Sequence, residues 1–401
     1  MPIIRHKINL LFERGGIVFA FSRVDEIAQI GQAAWHSLFG DDDPFMRYEF
    51  LHGLETSGCV GAQSGWLPSH LMVKQDNSLI ALLPLYIKYH SYGEYVFDWA
   101  WAEAYERHQL NYYPKLVSAV PFTPITGSRI GFTEQLDTEQ RQALVLALNH
   151  YLSDWLKELG GSGWHQLFHR KREHDYFAKA GSLTRLGTQF HWHNRSYRDF
   201  EDFLAQMSSR KRKNIRKERE QLKALALRFD FIDGDKVTSE QLAHFYLCYR
   251  ATYAKRSGHG GYLNLDFFSQ ILASMGKAVR LLMVEQEGKP VAAALYFVSK
   301  ERLYGRYWGS LVEIPGLHFE TCYYQGIEYA ISHGFKVFDA GAQGEHKVLR
   351  GFEPVETYSA HEILHPQFRD AIAAFTLEEK RNIRQYMAQL RQVLPYKKTV
   401  D

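Results

Sequence analysis

Asp339–Phe352 reads DAGAQGEHKVLRGF, which sets Asp339, Gln343, Glu345, His346, Lys347 and Arg350 among glycines at 341, 344 and 351. An apolar core has no use for so many charges beside so many glycines. A loop that closes on a charged substrate needs both. Arg350 can hold a carboxylate or phosphate through two parallel hydrogen bonds; the alternative for the stretch is a solvated turn. A second stretch, LHFETCYY, offers His318, Glu320 and Tyr323. On a helix His318 and Glu320 do not share a face. At a helix N-terminus both can line the mouth of a sheet, where either could accept a proton. Glu320 could equally be a first-turn carboxylate that stabilises the helix dipole.

A third stretch, Ser208–Glu220, reads SSRKRKNIRKERE, with seven Lys or Arg in thirteen residues. Ser208 or Ser209 can cap a helix that has no breaker up to Glu220. Its first turn is cationic, which opposes the helix dipole by some tenths of a kcal/mol per charge, about 0.3–1. Free N–H groups and cations together make an anion site. Arg212 and Arg216 share one face, Lys213 and Lys217 another, and Ile215 anchors the opposite side. A phosphate is therefore expected at Arg212, Lys213 and Arg216; an exposed helix whose cations pair with later acids is the other reading. In the first half, DWAWAEAY and YYPKLVSAVPFTPITGSR bring Asp98, Trp101, Tyr113 and Lys115. Aromatics beside a cation suit a pocket for a sugar, peptide or base, and also suit a core. GRYWGS adds Arg306 and Trp308 at a strand end.

Two histidine patterns are set aside. His361–His365 satisfies the HExxH spacing of zinc proteases. Pro366 disfavours helix at the residue before it, and the flanking Thr and Tyr alternate as a strand does, so the Glu would point away from both histidines. His191 and His193 stand at strand spacing, which suits substrate contact or packing. No metal is expected.

These side chains need a scaffold, and the chain repeats one. Leu71–Ile87 (LMVKQDNSLIALLPLYI) and Leu282–Val298 (LMVEQEGKPVAAALYFV) lie 211 residues apart, and so do Tyr112-Tyr113 and Tyr323-Tyr324. Several matches at one offset point to a duplicated domain. In the second copy a strand turns at Glu287-Gly288-Lys289 into an apolar strand. RLYGRYWGS makes a third, and Phe319, Tyr323, Ile327, Ala330 and Ile331 then follow at helical spacing. Gly334 suits the helix end, and KVFDAG is a further strand. The first copy has the same order, with its helix interrupted by Pro114 and Pro121. The fold class is α/β (α+β): two tandem domains, residues 1–196 and 197–401, with mixed central sheets flanked by helices and a C-terminal helix over Gln367–Leu394.

Length and composition agree. A chain of 401 residues is long for one core. The net charge of +3 excludes a protein that wraps nucleic acid over its whole surface. Cys59, Cys248 and Cys322 form no CxxC pair, which argues against a disulfide scaffold or a Cys-rich zinc site. No apolar run reaches a membrane span and residues 1–16 carry no signal-peptide pattern, so a cytoplasmic protein is expected.

The sheet–helix–sheet order resembles the GNAT acyltransferase fold, and the tandem resembles the Fem family of peptidoglycan bridge-forming aminoacyltransferases. The whole chain looks like the bacterial Fem-like predicted N-acyltransferases. The stretches that carry the likeness are YYPKLVSAVPFTPITGSR, QFHWHNRSY, SSRKRKNIRKERE, GRYWGS, LHFETCYYQGIEYAI and GAQGEHKVLRGFEP. The resemblance implies transfer of an acyl group to an amine, with Lys347 stabilising the oxyanion or the leaving group; read from the residues themselves, Glu320 or His318 is the base. Arg350, Glu345, His346, Asp339 and Tyr323 would bind substrate, as would Asp98, Trp101, Tyr113, Lys115, Arg306 and Trp308. The co-substrate would be acyl-CoA or aminoacyl-tRNA, with no tightly bound cofactor, and the acceptor a small molecule or cell-wall precursor. One departure stands out. SLVEIPGLHFE, before the main helix, has a single glycine, Gly316, where CoA-dependent GNAT domains carry a glycine-rich pyrophosphate loop. A different class remains open: a non-catalytic module that binds a phosphorylated glycan precursor or tRNA.

Overall fold

The computed structural model describes residues 10–14, 17–342 and 344–397. Gln343 and most of the N-terminal stretch read for a leader lie outside them. The chain forms two compact units, Met1–Gly187 with Thr357–Ile383, and Thr188–Glu356 with Arg384–Asp401. Among the described residues no helix is long and apolar enough to cross a membrane.

In the first unit, strands Leu10–Arg14, Ile17–Val24, His70–Gln75, Ser78–Leu83 and Gly131–Phe132 lie side by side in that order. A second set runs from Tyr358–Ile363 through Gly163–His169, Lys115–Ser118 and Tyr86–Lys88 to Trp66–Pro68. Between the two sets packs the helix Thr138–Leu159. Leu144, Leu148 and Leu152 from it share a core with Phe21, Val73, Leu116 and Trp164. Its ends are written locally. Asp137 and Gln140 form a reciprocal capping box, and Gly160 closes it in the left-handed conformation.

In the second unit the strands run Leu227–Asp233, Val279–Gln286, Lys289–Val298, Arg302–Ser310, Val337–Asp339, with His191–His193 beyond. All pairs are antiparallel except Arg302–Tyr304 with Val337–Asp339, which makes the sheet mixed. Helix Ser239–Ser257 covers the central strands so closely that a Cβ at Gly309 would sit 1.8 Å from the Cys248 carbonyl oxygen. The expected strand RLYGRYWGS is Arg302–Ser310, and the C-terminal helix spans Pro366–Gln392.

Both expected hairpins form, and they share backbone detail. Asp76 and Asn77 (φ 49° and 63°) match Glu287 and Gly288 (φ 51° and 73°), and each first strand carries a bulge, at Val73/Lys74 and Val284/Glu285. The likeness stops there. Tyr323-Tyr324 lie in a helix, but Tyr112-Tyr113 precede the strand Lys115–Ser118, and the first unit's nearest helix is Trp99–Arg107. The matched tyrosines are thus not structural equivalents, and Pro114 and Pro121 flank a strand instead of interrupting a helix.

Candidate active site

The second unit gathers the chemistry. After Gly316 the chain makes one helical turn, Leu317–Phe319, then a π-helical turn, Glu320–Tyr324, then helix Gln325–Ser332. A π turn rotates the side chains that follow and recurs at functional sites. Facing it is the 3-10 turn Glu345–Arg350, framed by Gly344 (φ 111°) and Gly351 (φ 90°). A Cβ on Gly344 would lie 2.4 Å from the His346 ring, so the turn closes only with glycine there.

Lys347 is buried, 1% exposed, and its ammonium donates to the Gly341 carbonyl. Burial pulls its pKa down while Asp339 pulls it up and Arg306 pushes it down; the outcome is about 8. The Tyr323 hydroxyl meets His346 Nε2 at 2.8 Å. His346 is exposed at the surface of this group, and burial, Arg350 and Lys347 lower its pKa. His318 packs 5.3 Å from the Tyr323 ring and 5.2 Å from Trp308. Burial first, and then nearby cations led by Arg256, push its pKa to about 3, so it is neutral and a weak base. Lys347, His346, Tyr323, His318 and Trp308 thus form one cluster.

Four other predicted residues turn inward. Glu320, 3% exposed, accepts from Arg219 Nε and Nη2 and from Gln325. Arg350 grips both oxygens of Glu218 at 2.9 and 3.0 Å and lies 3.5 Å over the Phe319 ring. Asp339 is clasped by Arg306 through both oxygens, at 3.2 and 2.7 Å, with His191 at 3.5 Å, and receives the Gly341 N–H. Burial raises the Asp339 pKa, but Arg306 and His191 hold it well below the carboxylate range. These three guanidinium–carboxylate clasps, Arg219–Glu320, Arg350–Glu218 and Arg306–Asp339, fix the frame on which Lys347 sits. Glu345 is exposed and accepts from the Tyr386 hydroxyl.

The basic helix spans Ser209–Lys223 and starts at Ser208 without a side-chain cap. Arg216 pairs with Glu201, whereas Arg210, Lys211, Arg212, Lys213 and Lys217 make no ion pair among the described residues. Sequence reasoning missed Glu218 and Arg219. The signal was there, because both fall at helical spacing between the buried Ile215 and Leu222. It also missed Arg256, whose charge acts on His318 and His346.

In the first unit Asp98, Lys115 and Trp101 are buried and Tyr113 partly so. Lys115 donates to Glu94 at 2.8 Å and to Asp98, and Tyr113 bonds Ser91 at 2.8 Å. His361 lies in the strand Glu353–Ile363 and meets His165, Nδ1 to Nδ1, at 2.7 Å, while Glu362 pairs with Arg369. No group of three or more His, Cys, Asp or Glu is poised for a metal ion among the described residues.

The architecture is a mixed α/β fold in two units, and solved structures share it at low identity. FemX superposes with a TM-score of 0.50 at 13% identity, over 88% of this chain and 100% of that one. The C-terminal domain of a putative lysylphosphatidylglycerol synthetase from Agrobacterium fabrum gives the same score and identity, over 88% and 96%. A tandem GNAT protein of the clavulanic acid biosynthesis pathway is also similar, with a TM-score of 0.45 at 9% identity over 87% and 99%. The chain belongs to the FemAB-like family, described as peptidoglycan biosynthesis/recognition, whose model matches residues 26–398. No curated protein sequence matches it.

Proposed function

We propose that this protein is an N-acyltransferase or aminoacyltransferase that moves an acyl group from acyl-CoA or aminoacyl-tRNA to an amine of a small molecule or cell-wall precursor. The observation that carries the reading is Lys347: a buried lysine with a pKa of about 8, on a glycine-framed turn beside an imidazole and a phenol. Below that pH its ammonium can stabilise the tetrahedral oxyanion. His346, the accessible imidazole, takes the proton from the attacking amine, and Tyr323 orients it. Arg350, Asp339 and Glu320 act through the frame they hold. Family membership and the FemX fold agree with this class of reaction.

The donor is the finer question. At the start of the active-site helix the N–H of Leu317 is spent on Ile314, and those of Phe319 and Glu320 on Gly316. The loop has one glycine, and these three N–H groups are not free to hold a pyrophosphate. That favours aminoacyl-tRNA over CoA, with the unpaired cations of the basic helix taking phosphates. The same cations favour the second reading, a tRNA- or phosphoglycan-binding module without catalysis. A transfer assay with acyl-CoA and aminoacyl-tRNA donors, run on wild type and Lys347→Met, decides. Transfer lost in a folded variant supports the enzyme. Full transfer in the variant overturns the role of Lys347, and absence of transfer beside tight tRNA binding supports the module.

A further inference from the structure

The helix Ser209–Lys223 has two unlike halves. In the first, Lys211 and Arg212 are half-buried and make no ion pair among the described residues. In the second, both inward charges are spent. Glu218 accepts from Arg350 Nη2 through both oxygens, at 3.0 and 2.9 Å, and from the Tyr324 hydroxyl. Arg219 donates to Glu320 at 2.7 Å and to Glu328 at 2.9 and 2.8 Å, and its guanidinium lies 4.5 Å over the Phe200 ring.

These bonds reach both walls of the candidate site. Arg350 ends the turn that carries His346 and Lys347, and its Nη1 donates to the His346 carbonyl at 3.0 Å. Glu320 and Tyr324 belong to the π turn that carries Tyr323, and Glu328 to the helix after it. Two consecutive residues of one helix therefore brace the imidazole on one side and the phenol on the other. The path from Glu218 to the His346 backbone is two charge-assisted hydrogen bonds through one guanidinium.

The two halves look the same way. Lys211, Ile215, Glu218 and Leu222 recur at the spacing of one helix face, and Arg212 and Arg219 run beside them. Ile215 and Leu222 are buried, whereas Arg210, Lys213 and Lys217 on the other sides are exposed. At 1.5 Å per residue, Lys211 and Glu218 stand about 10 Å apart along the axis. A helix that only braced the site would gain nothing from half-buried cations without partners. They cost free energy until an anion meets them.

We propose that this helix registers the donor against the candidate site. Lys211 and Arg212 take a phosphate group of the donor, and Glu218 and Arg219 are positioning residues that set His346 and Lys347 about 10 Å along the axis from it. The first half fixes where the acyl group stands, and the second fixes what meets it. The registration rests on the acyl-transfer reading above, in which the phosphate is a phosphodiester of RNA or the pyrophosphate of CoA.

The test uses the full chain, two probes and a reporter that needs no transfer. The probes are CoA and an RNA stem-loop with a single-stranded 3′ CCA end. The reporter is the rate at which diethyl pyrocarbonate modifies the exposed His346, read by peptide mass spectrometry. At least one probe should bind and slow that modification several-fold, and the one that binds names the source of the phosphate. Lys211→Gln together with Arg212→Gln should weaken its binding roughly tenfold. Glu218→Gln should bind it no more weakly than wild type, yet lose the protection of His346, and Glu218→Asp should restore part of it. Arg219→Lys should lose the protection likewise, with melting temperatures checking that each variant is folded. The proposal falls if neither probe binds wild type, or if the bound probe leaves His346 modification unchanged. It also falls if the doubly neutralised variant binds as wild type does, or if folded Glu218→Gln or Arg219→Lys keeps full protection. Full transfer by Lys347→Met with His346 still protected would overturn the role of Lys347 and leave the registration standing.

Discussion

The two hairpins, Leu71–Ile87 and Leu282–Val298, are the same object built twice. Both turns use two residues of positive φ, and both first strands bulge at corresponding places. Beyond them the units part. In the second, Lys289–Val298 pairs onward with Arg302–Ser310, and the chain proceeds into the helix that carries the candidate site. In the first, Ser78–Leu83 pairs with the short strand Gly131–Phe132, and the intervening chain builds a different set of strands. The charge economy differs accordingly. The second unit saturates its acids with arginines and leaves one lysine poised. The first buries Lys115 against Glu94 and Asp98. The duplicated hairpin therefore specifies a scaffold, and the chemistry is set by what the chain inserts after it.

Breaking the poised lysine should have the largest effect. Lys347→Met should lower transfer by about 100- to 1000-fold, the usual loss for one oxyanion donor, in single-turnover assays on folded protein. Next comes the frame. Arg219→Met leaves Glu320 buried without its partner, and urea denaturation should show a loss of roughly 3 kcal/mol. The pH profile sharpens the contrast further. Lys347 keeps its proton below about 8, facing Asp339, Arg306 and Cys322, so transfer should fall as pH rises through that value. In Lys347→Arg, whatever rate survives should lack this fall, because the guanidinium stays charged. A profile that rises through pH 8 and stays high would overturn the cationic role. Neutralising Arg210, Lys213 and Lys217 together should weaken tRNA binding about tenfold at moderate salt and flatten its salt dependence, with little change in melting temperature. The smallest effect probes the shared hairpin. Gly288→Ala should cost about 1 kcal/mol at its φ of 73°, while Asn77→Gly, at the matching turn position, should change stability by only a few tenths.

Local signals account for what was legible. The Arg302–Ser310 strand, the C-terminal helix and the strand–turn–strand pattern of each hairpin all follow from periodicity and turn residues in neighbouring positions. The cluster of Lys347, His346 and Tyr323 could be nominated because charge beside glycine is unusual locally. The partners could not. Glu218 reaches Arg350 across 132 residues of chain, Arg219 reaches Glu320 across 101, and His165 meets His361 across 196. Nothing in SSRKRKNIRKERE marks Glu218 and Arg219 as inward beyond their spacing from Ile215, and nothing near Thr357–Ile383 says that this segment rejoins the first unit.

By itself, then, the sequence determined the elements, the doubled hairpin and the family of folds, because helix caps, turn residues and hydrophobic period act over neighbouring residues. Only the tertiary structure decided which charged groups are spent on one another and which remain available. That choice depends on desolvation and on pairing between distant parts of the chain. It set Glu320 against Arg219, drew the Lys347 pKa down to about 8, and buried Lys115 against Glu94.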